Sequence, residues 1–372
     1  MPDISNTRST CSSGSYIFGS PHLISTVMGW KPLTELGVTL VHEHLTSSFL
    51  SCKIQNVPYG NYDGDQDLCL SNIGHIKRYP YFYSKNLCLS DADVVKYMDY
   101  ELSLFKFAGG SSVVETSSYG LKRSLQFVKL YSQTTGINIL VGTGYYTAKT
   151  QSTSELSMTW LEMYDKMMSE FVYGIKDSNC IGIYPAFIGE VGSSWPIHDF
   201  ERQSIIATGE VQEQLHCPVS FSPGCNESSP MEILRIYQEA GGNACKVIMS
   251  HADRTFTSKE KLMEFIDDTN CFVLFDSFGV ENSTYYNNNQ FSSVLSDIER
   301  IQYISDLKQQ GKLNRILMSQ DIHTKNRLIS YGGSGYSHIL NNIIPRMLKK
   351  DFNIHEIDKI LINNPRQWLS LL

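Results

Sequence analysis

The chain has 372 residues, of which 41% are hydrophobic and 19% are charged. Its 31 Lys and Arg against 38 Asp and Glu give a formal net charge of −7. This acidic balance argues against a nucleic-acid-binding protein, the hydrophobic content excludes a disordered chain, and no segment has the length and apolar character of a membrane span.

The first 22 residues are rich in Ser and Thr and predict a flexible leader, followed by a single domain over residues 23–372. The leader lacks the basic and apolar regions of a secretory signal. Nine scattered cysteines without a CxxC pair indicate neither a zinc knuckle nor a disulfide framework. We therefore expect a reduced, cytoplasmic protein.

Short apolar runs alternate with amphipathic stretches along the rest of the chain. Eight runs predict strands at residues 38–45, 111–117, 138–146, 184–192, 217–224, 246–253, 271–279 and 315–322. Helices are predicted at 91–108, 121–135, 155–175, 200–215, 231–240, 258–268, 295–310, 336–350 and 354–371, the last kinked at Asn364-Pro365. Strand then helix, eight times over, predicts an α/β fold of the (β/α)₈ TIM-barrel type rather than two domains.

Two connections are long for such a barrel, at residues 46–90 and 280–294. Each follows a predicted strand, and the second contains Asn282, Tyr285, Tyr286 and three consecutive Asn. Because the loops after barrel strands surround the mouth of the barrel, we expect both connections to overhang it.

The first predicted strand ends in His42-Glu43-His44. Alternate residues of a strand point to the same side, so the two imidazoles are predicted to aim together into the barrel, where they can share a cation. A pair of hydrogen-bonded core histidines is the alternative.

Three more polar residues lie at the ends of predicted strands. Glu190 lies at the end of the fourth strand with a glycine close on either side, His251 lies at the end of the sixth strand and Asp321 at the end of the eighth. Individually, Asp321 could cap a helix and His251 could be a core imidazole. Together with His42 and His44 they predict a metal site at the mouth, with Glu190 bridging two ions and Asp321 moving the proton of an activated water.

Several motifs also resemble one known family. They are GVTLVHEHL (37–45), FIGEVGSS (187–194), MSHADRT (249–255), DSFG (276–279), QDIHTKNRL (320–328) and NNPRQWL (363–369). This series resembles the phosphotriesterase family of the amidohydrolase superfamily, and within it the animal branch of phosphotriesterase-related proteins, from about Leu23 onward. The resemblance implies a (β/α)₈ barrel with a binuclear divalent metal centre, usually zinc.

By that resemblance, His42, His44 and His251 match family ligands, and Asp321 matches the last ligand and proton shuttle. Glu190 matches the bridging position. Ser222 stands where the family has a histidine, and a serine hydroxyl binds zinc poorly compared with imidazole. Three outcomes stay open: up to two ions with the second weakly held, a single ion, or a catalytically silent barrel that binds a small molecule or a protein.

The resemblance implies a hydrolase acting on a small ester or amide, and most specifically N-acetyltaurine, cleaved to taurine and acetate. Lactonase or phosphotriesterase activity is the alternative enzyme class. Arg254, Tyr146 and Asp276 are candidate substrate-binding residues, and Lys325 and Arg327 are further candidate cations. We expect a small-molecule substrate and neither a nucleic-acid nor a membrane partner; a homodimer is left open.

Overall fold

A computed structural model describes residues 22–57, 62–176, 180–281, 284–287 and 290–371. Residues 1–21 of the predicted leader, and Asn282, Asn288 and Asn289 of the second long connection, lie outside these ranges. The strands are β1 (Leu23–Thr26), β2 (Gly29–Pro32), β3 (Thr39–Glu43), β4 (Ser112–Glu115), β5 (Asn138–Thr143), β6 (Phe187–Gly192), β7 (Val219–Ser222), β8 (Val247–Met249), β9 (Phe272–Phe275), β10 (Thr284–Asn287), β11 (Gln290–Ser293) and β12 (Ile316–Met318).

Eight of these strands form one parallel sheet in the order β12-β9-β8-β7-β6-β5-β4-β3. Backbone hydrogen bonds join its two ends, because Asp321 N–H donates to the His42 carbonyl oxygen at 3.1 Å and His44 N–H donates to that of Ile322 at 3.3 Å. The sheet therefore closes into the predicted (β/α)₈ barrel, and each of the eight predicted strand runs contains one of its strands.

Helices surround the barrel in the connections between strands and after the last strand. They are α1 (Ile73–Arg78), α2 (Ala92–Phe107), α3 (Leu125–Thr135), α4 (Thr153–Leu156), α5 (Trp160–Tyr173), α6 (Asp199–Leu215), α7 (Ser229–Glu239), α8 (Ala252–Thr255), α9 (Lys259–Thr269), α10 (Asp297–Gln309), α11 (Ile344–Lys349), α12 (Ile354–Asp358) and α13 (Asn364–Leu369). No helix of the described residues combines the length and apolar character needed to cross a membrane.

Three predicted helices are interrupted, and one of them, the stretch 336–350, contains a π-helix at Ile339–Ile343 before α11. The stretch 155–175 is divided between α4 and α5 because Ser152 and Thr159 each form a capping box, which starts a separate helix. The C-terminal stretch widens into a π-helix at Lys359–Asn363 before α13. Pro365 in the first turn of α13 lacks an N–H, so the backbone cannot continue a regular α-helix through it, as the predicted kink required.

The apolar core has two layers. One lies between the sheet and the helices and includes Leu40, and the other lies inside the barrel and includes Val41. Trp368 of α13 is fully buried in the inner layer, and its indole N–H reaches the carbonyl oxygens of Val219 and Lys246, each at 3.2 Å. The C-terminal helix therefore closes one end of the barrel.

The chain also forms elements that the sequence pattern did not predict. Strands β1 and β2 pair as an antiparallel hairpin before the barrel, and β10 and β11 pair as another within the second long connection. The first long connection contains α1 and a small apolar cluster of its own around Ile76, Tyr79, Phe82 and Tyr83. This cluster gives that connection a packed core, which explains its length.

Candidate metal centre

The polar residues predicted at the strand ends meet at one end of the barrel. His42 and His44 lie at the end of β3, Glu190 lies in β6, His251 follows β8 and Asp321 follows β12. All five are buried, with at most 5% of each residue exposed. His251 and Asp321 both have left-handed backbone angles, at φ of +59° and +52°, which is unusual for residues other than glycine and occurs often at functional sites.

Register shifts turn two of these side chains inward. Simple alternation would place His42 on the same face as Leu40, which packs under the helices, but the pairing of β3 with β4 shifts by one residue between Leu40 and Glu43. The pairing of β6 with β7 shifts in the same way between Ile188 and Val191, around Glu190. Such β-bulges re-aim side chains beside functional sites, so the two shifts direct His42 and Glu190 into the mouth.

Four side chains form a compact cage of donor atoms. His42 Nε2 lies 3.5 Å from Glu190 Oε2 and 3.7 Å from Asp321 Oδ1. His44 Nε2 lies 3.3 Å from Glu190 Oε1 and 3.4 Å from Asp321 Oδ1. Tetrahedral zinc with bonds of about 2.0–2.1 Å separates its ligands by about 3.3–3.4 Å, and these four imidazole–carboxylate distances are close to that value.

Hydrogen bonds leave the inward nitrogen of each imidazole free to bind an ion. The Ser117 hydroxyl donates to Glu115 Oε1 at 2.5 Å, so it accepts the Nδ1 proton of His44 at 2.8 Å. Nδ1 of His42 faces the Ser250 hydroxyl at 3.1 Å and an Asp276 carboxylate oxygen at 3.7 Å. A proton on Nδ1 places the lone pair on Nε2, which is the usual arrangement of metal-binding histidines.

The electrostatics of the cage favour a bound cation. Among the described residues, His42 Nε2 has no hydrogen-bond partner although it is buried. Burial lowers the pKa of His42 to about 3, so its imidazole is neutral, as a metal ligand must be. Burial and the nearby charge of Asp321 raise the pKa of Glu190 well above its usual value, which shows the cost of holding two carboxylates together without a cation. The residues present therefore fit a divalent ion.

His251 lies beside this cage and has its own partners. Its Nδ1 contacts Asp276 Oδ1 at 2.9 Å and its backbone N–H donates to Asp276 Oδ2 at 3.1 Å. Its Nε2 lies 3.0 Å from the Ser222 hydroxyl. Asp276, a candidate for substrate binding from the sequence, is fully buried and contacts both His251 and His42.

The candidate substrate-binding cations separate into two groups. Lys325 is buried in ion pairs with Asp91 and Asp93, at 2.9 and 3.1 Å. Arg327 is 9% exposed and donates to the backbone carbonyl oxygens of Asp321 and Phe278. Both side chains are therefore held in contacts within the protein.

Arg254 and Tyr146 lie at the centre itself. The Arg254 guanidinium is 3.8 Å from Asp321 Oδ2, and its side chain is 16% exposed. Tyr146 packs edge-on against Phe49 at 5.8 Å between ring centroids, and burial followed by the charge of Glu190 raises the pKa of its phenol. Both side chains therefore lie beside the candidate metal centre.

The first long connection covers the mouth, and it supplies residues that the sequence motifs did not single out. Phe49 packs edge-on against His44 at 5.1 Å between ring centroids. The Tyr81 hydroxyl contacts His323 Nε2 at 2.6 Å, and His323 Nδ1 in turn lies 3.0 Å from Asp321 Oδ1. His323 lies only two residues after Asp321, and that spacing is the signal in the sequence that could have indicated it.

Glu43, between the two histidines, points away from the centre and joins the first and last barrel strands. Its carboxylate accepts from the Ser319 hydroxyl at 2.8 Å and from the backbone N–H groups of Gln320 at 2.7 Å and Ile322 at 2.9 Å. These three bonds flank Asp321. Burial raises the pKa of Glu43 to about 8, and the hydrogen bonds from these donors counteract part of that rise.

Sequence comparison identifies the family. The model of the phosphotriesterase family matches residues 22–369. A phosphotriesterase-related protein of Drosophila persimilis is 40% identical over 349 residues, which cover 93% of this chain and 98% of that protein. An N-acetyltaurine hydrolase of Xenopus tropicalis is 40% identical over 347 residues, covering 93% of this chain and 97% of that protein.

Solved structures share the fold. A resiniferatoxin-binding protein from Rhodobacter sphaeroides superposes with a TM-score of 0.87 at 23% identity, covering 94% of this chain and 95% of that one. A phosphotriesterase homology protein from Escherichia coli, complexed with phosphate in its active site, gives a TM-score of 0.71 at 24% identity, covering 90% and 99%. With a family model spanning almost the whole domain and close relatives aligned from end to end, the chain belongs to the phosphotriesterase family.

Proposed function

We propose that this protein is a metal-dependent hydrolase that cleaves N-acetyltaurine to taurine and acetate. The observation that carries the hydrolase assignment is the cage formed by four side chains, those of His42, His44, Glu190 and Asp321. When bound, a divalent ion, zinc by the nature of these ligands, supplies Lewis acidity that lowers the pKa of water and polarises a carbonyl oxygen.

The protein's own residues hold the centre and move the proton. His42 and His44 present neutral Nε2 atoms, and Glu190 presents both carboxylate oxygens to them. Asp321 Oδ1 faces the imidazoles, whereas Oδ2 lies on the side of Arg254. Oδ2 is therefore the atom that accepts the proton of the attacking water and delivers it to the nitrogen of the leaving amine.

The choice of substrate rests on the relatives and on charge. The Xenopus tropicalis relative is named an N-acetyltaurine hydrolase. A substrate with a sulfonate group is anionic, and the Arg254 guanidinium lies 3.8 Å from Asp321 Oδ2, whereas Lys325 is buried in ion pairs and Arg327 donates to backbone carbonyl oxygens. A guanidinium there favours an anionic substrate over a neutral lactone or phosphotriester.

A silent binding barrel is the second candidate, and Ser222 is the observation that favours it. The serine removes one imidazole from the strand end of β7, yet the four donors of the cage are all in place without it. Loss of the β7 ligand therefore leaves a complete site for one ion, and we prefer the hydrolase.

The proposed cytoplasmic location rests on the thiols. Eight cysteines of the described residues are free, which suits a reducing compartment. Labelling of unreduced protein from cells with a thiol reagent tests this, because disulfide-bonded cysteines would resist the reagent.

The function is tested by following taurine release from N-acetyltaurine by purified protein loaded with zinc. We expect turnover that a chelator abolishes and added zinc restores. Asp321→Asn should lower kcat by about 10²–10⁴-fold, the usual contribution of a positioned acid or base. Asp267→Asn, at an exposed ion pair with Lys312 on α9, is the matched control and should retain activity. Zinc-loaded protein without activity towards acyl amides, lactones or phosphotriesters would contradict the hydrolase and favour the binding barrel.

A further inference from the structure

The centre contains two overlapping groups of metal-binding side chains. One consists of His42, His44 and Glu190, and the other of His42, His251 and Asp321. Both groups need His42, and one Nε2 lone pair binds one ion. The number of ions that this chain holds therefore depends on which group uses His42 as a ligand. It also depends on whether the other side chains provide enough ligands for a second ion.

The distances between donor atoms assign His42 to the first group. Its Nε2 has Glu190 Oε2 at 3.5 Å and Asp321 Oδ1 at 3.7 Å, and His44 Nε2 completes the cage at 3.3–3.4 Å from the same two carboxylates. These imidazole–carboxylate separations are close to those between two ligands of one zinc ion, and His42, His44 and Glu190 can each present one donor atom within 4.8 Å of the others. His251, in contrast, lies farther from Asp321, with its Nδ1 at 4.0 Å from Oδ2.

The remaining residues make a poor second site. His251 Nδ1 already donates to Asp276 at 2.9 Å, and Nε2 lies 3.0 Å from the Ser222 hydroxyl. Ser222 also contacts the Glu190 carboxylate. A second ion would therefore have one imidazole, a carboxylate shared with the first ion and a neutral hydroxyl. Zinc sites normally offer three strong protein ligands, and this set does not.

A fixed positive charge already stands on that side of the centre. The Arg254 guanidinium lies 3.8 Å from Asp321 Oδ2, and its charge acts on His251, Glu190 and Asp276 as well. A guanidinium stays protonated under all ordinary conditions. It therefore balances the carboxylates that a second cation would otherwise neutralise, and it repels that cation.

We propose that the centre holds a single divalent ion in the cage of His42, His44, Glu190 and Asp321, and that the Arg254 guanidinium takes the place of a second ion. This inference rests on the proposed function and specifies its metal centre. In the working enzyme, Arg254 supplies the second positive charge, which attracts an anionic substrate and stabilises negative charge that develops on its acyl oxygen.

The direct test is a count of bound ions in the full-length wild-type protein. Protein saturated with zinc and then desalted is measured by elemental analysis and by native mass spectrometry. We expect one zinc per chain, and the same count after incubation with excess zinc followed by desalting. Two ions per chain would overturn the inference while leaving the hydrolase intact, whereas no bound ion in protein that hydrolyses N-acetyltaurine would overturn the metal centre altogether.

Variants test the reasons for that count, after circular dichroism shows that each is folded. His251→Asn should keep the single ion, because His251 lies outside the cage, and His44→Asn should lose it. The double change Ser222→His with Arg254→Ala restores an imidazole and removes the repelling charge, so it should raise the count to two. Loss of the ion in His251→Asn, or a count of one ion in the double variant, would contradict the assignment of a single ion to the cage. If a variant does not fold, the number of ions bound by the wild-type protein decides between one ion and two.

Discussion

Replacing Ser117 by alanine should weaken metal binding without touching a ligand. The Ser117 hydroxyl accepts the Nδ1 proton of His44 at 2.8 Å and donates to the buried Glu115 carboxylate at 2.5 Å. Its loss frees the imidazole to rotate and to change tautomer, so Nε2 no longer faces the cage with a lone pair. Removing such a partner of a ligating histidine typically lowers metal affinity by about 10–100-fold, which is about 1.4–2.7 kcal/mol.

The same change should also cost stability. Two buried groups, the imidazole N–H and a carboxylate oxygen, lose a partner, and an unsatisfied buried group costs about 1–3 kcal/mol. Ser132→Ala is the matched control, because that buried hydroxyl donates to the Ile137 carbonyl oxygen at 2.7 Å on α3, away from the centre.

Competition with a chromophoric chelator measures the zinc dissociation constant, and thermal unfolding of the metal-free proteins measures stability. We expect both variants to lower the melting temperature and only Ser117→Ala to raise the dissociation constant. If Ser117→Ala bound zinc as tightly as the control, the proposed orientation of His44 by Ser117 would be wrong.

Two further substitutions distinguish a residue that positions the metal centre from a residue that stabilises the barrel. Glu43→Gln replaces one of the two carboxyl oxygens that accept three hydrogen bonds around Asp321 by an NH2 group, which donates instead. For N-acetyltaurine, kcat should fall about 10-fold or more with little change in KM, and an unchanged kcat would show that Glu43 does not position Asp321. Trp368→Ala should lower the free energy of unfolding by about 3–5 kcal/mol, measured in urea, because it empties the closed end of the barrel. In that folded variant the zinc affinity should stay at the wild-type value, and a large loss of affinity would contradict the separation of the closed end from the mouth.

The sequence predicted the barrel well because strand and helix periodicities depend on local pattern. Each of the eight predicted runs contains a barrel strand, and the polar residues at the ends of β3, β6, β8 and β12 do meet. What alternation could not predict is how His42 and Glu190 reach the interior, because the register shifts beside them depend on pairing with neighbouring strands.

Contacts between distant parts of the chain also escaped the sequence. Ser117 and Ser250 orient the imidazoles, and Tyr81 reaches His323 across 242 residues of sequence. Serine and tyrosine are common residues without a distinctive spacing here, so only the folded chain reveals these roles. The same holds for Lys325, whose ion pairs with Asp91 and Asp93 remove it from the set of cations that could bind substrate.

A crystal of the zinc-loaded protein, with anomalous diffraction recorded at the zinc edge, tests the central claim most directly. We expect a strong peak about 2.0–2.2 Å from His42 Nε2, His44 Nε2, Glu190 and Asp321, the bond lengths that zinc adopts with these atoms. A peak bound elsewhere on the chain, with these four side chains left without an ion, would contradict the assignment of the barrel mouth as a metal centre.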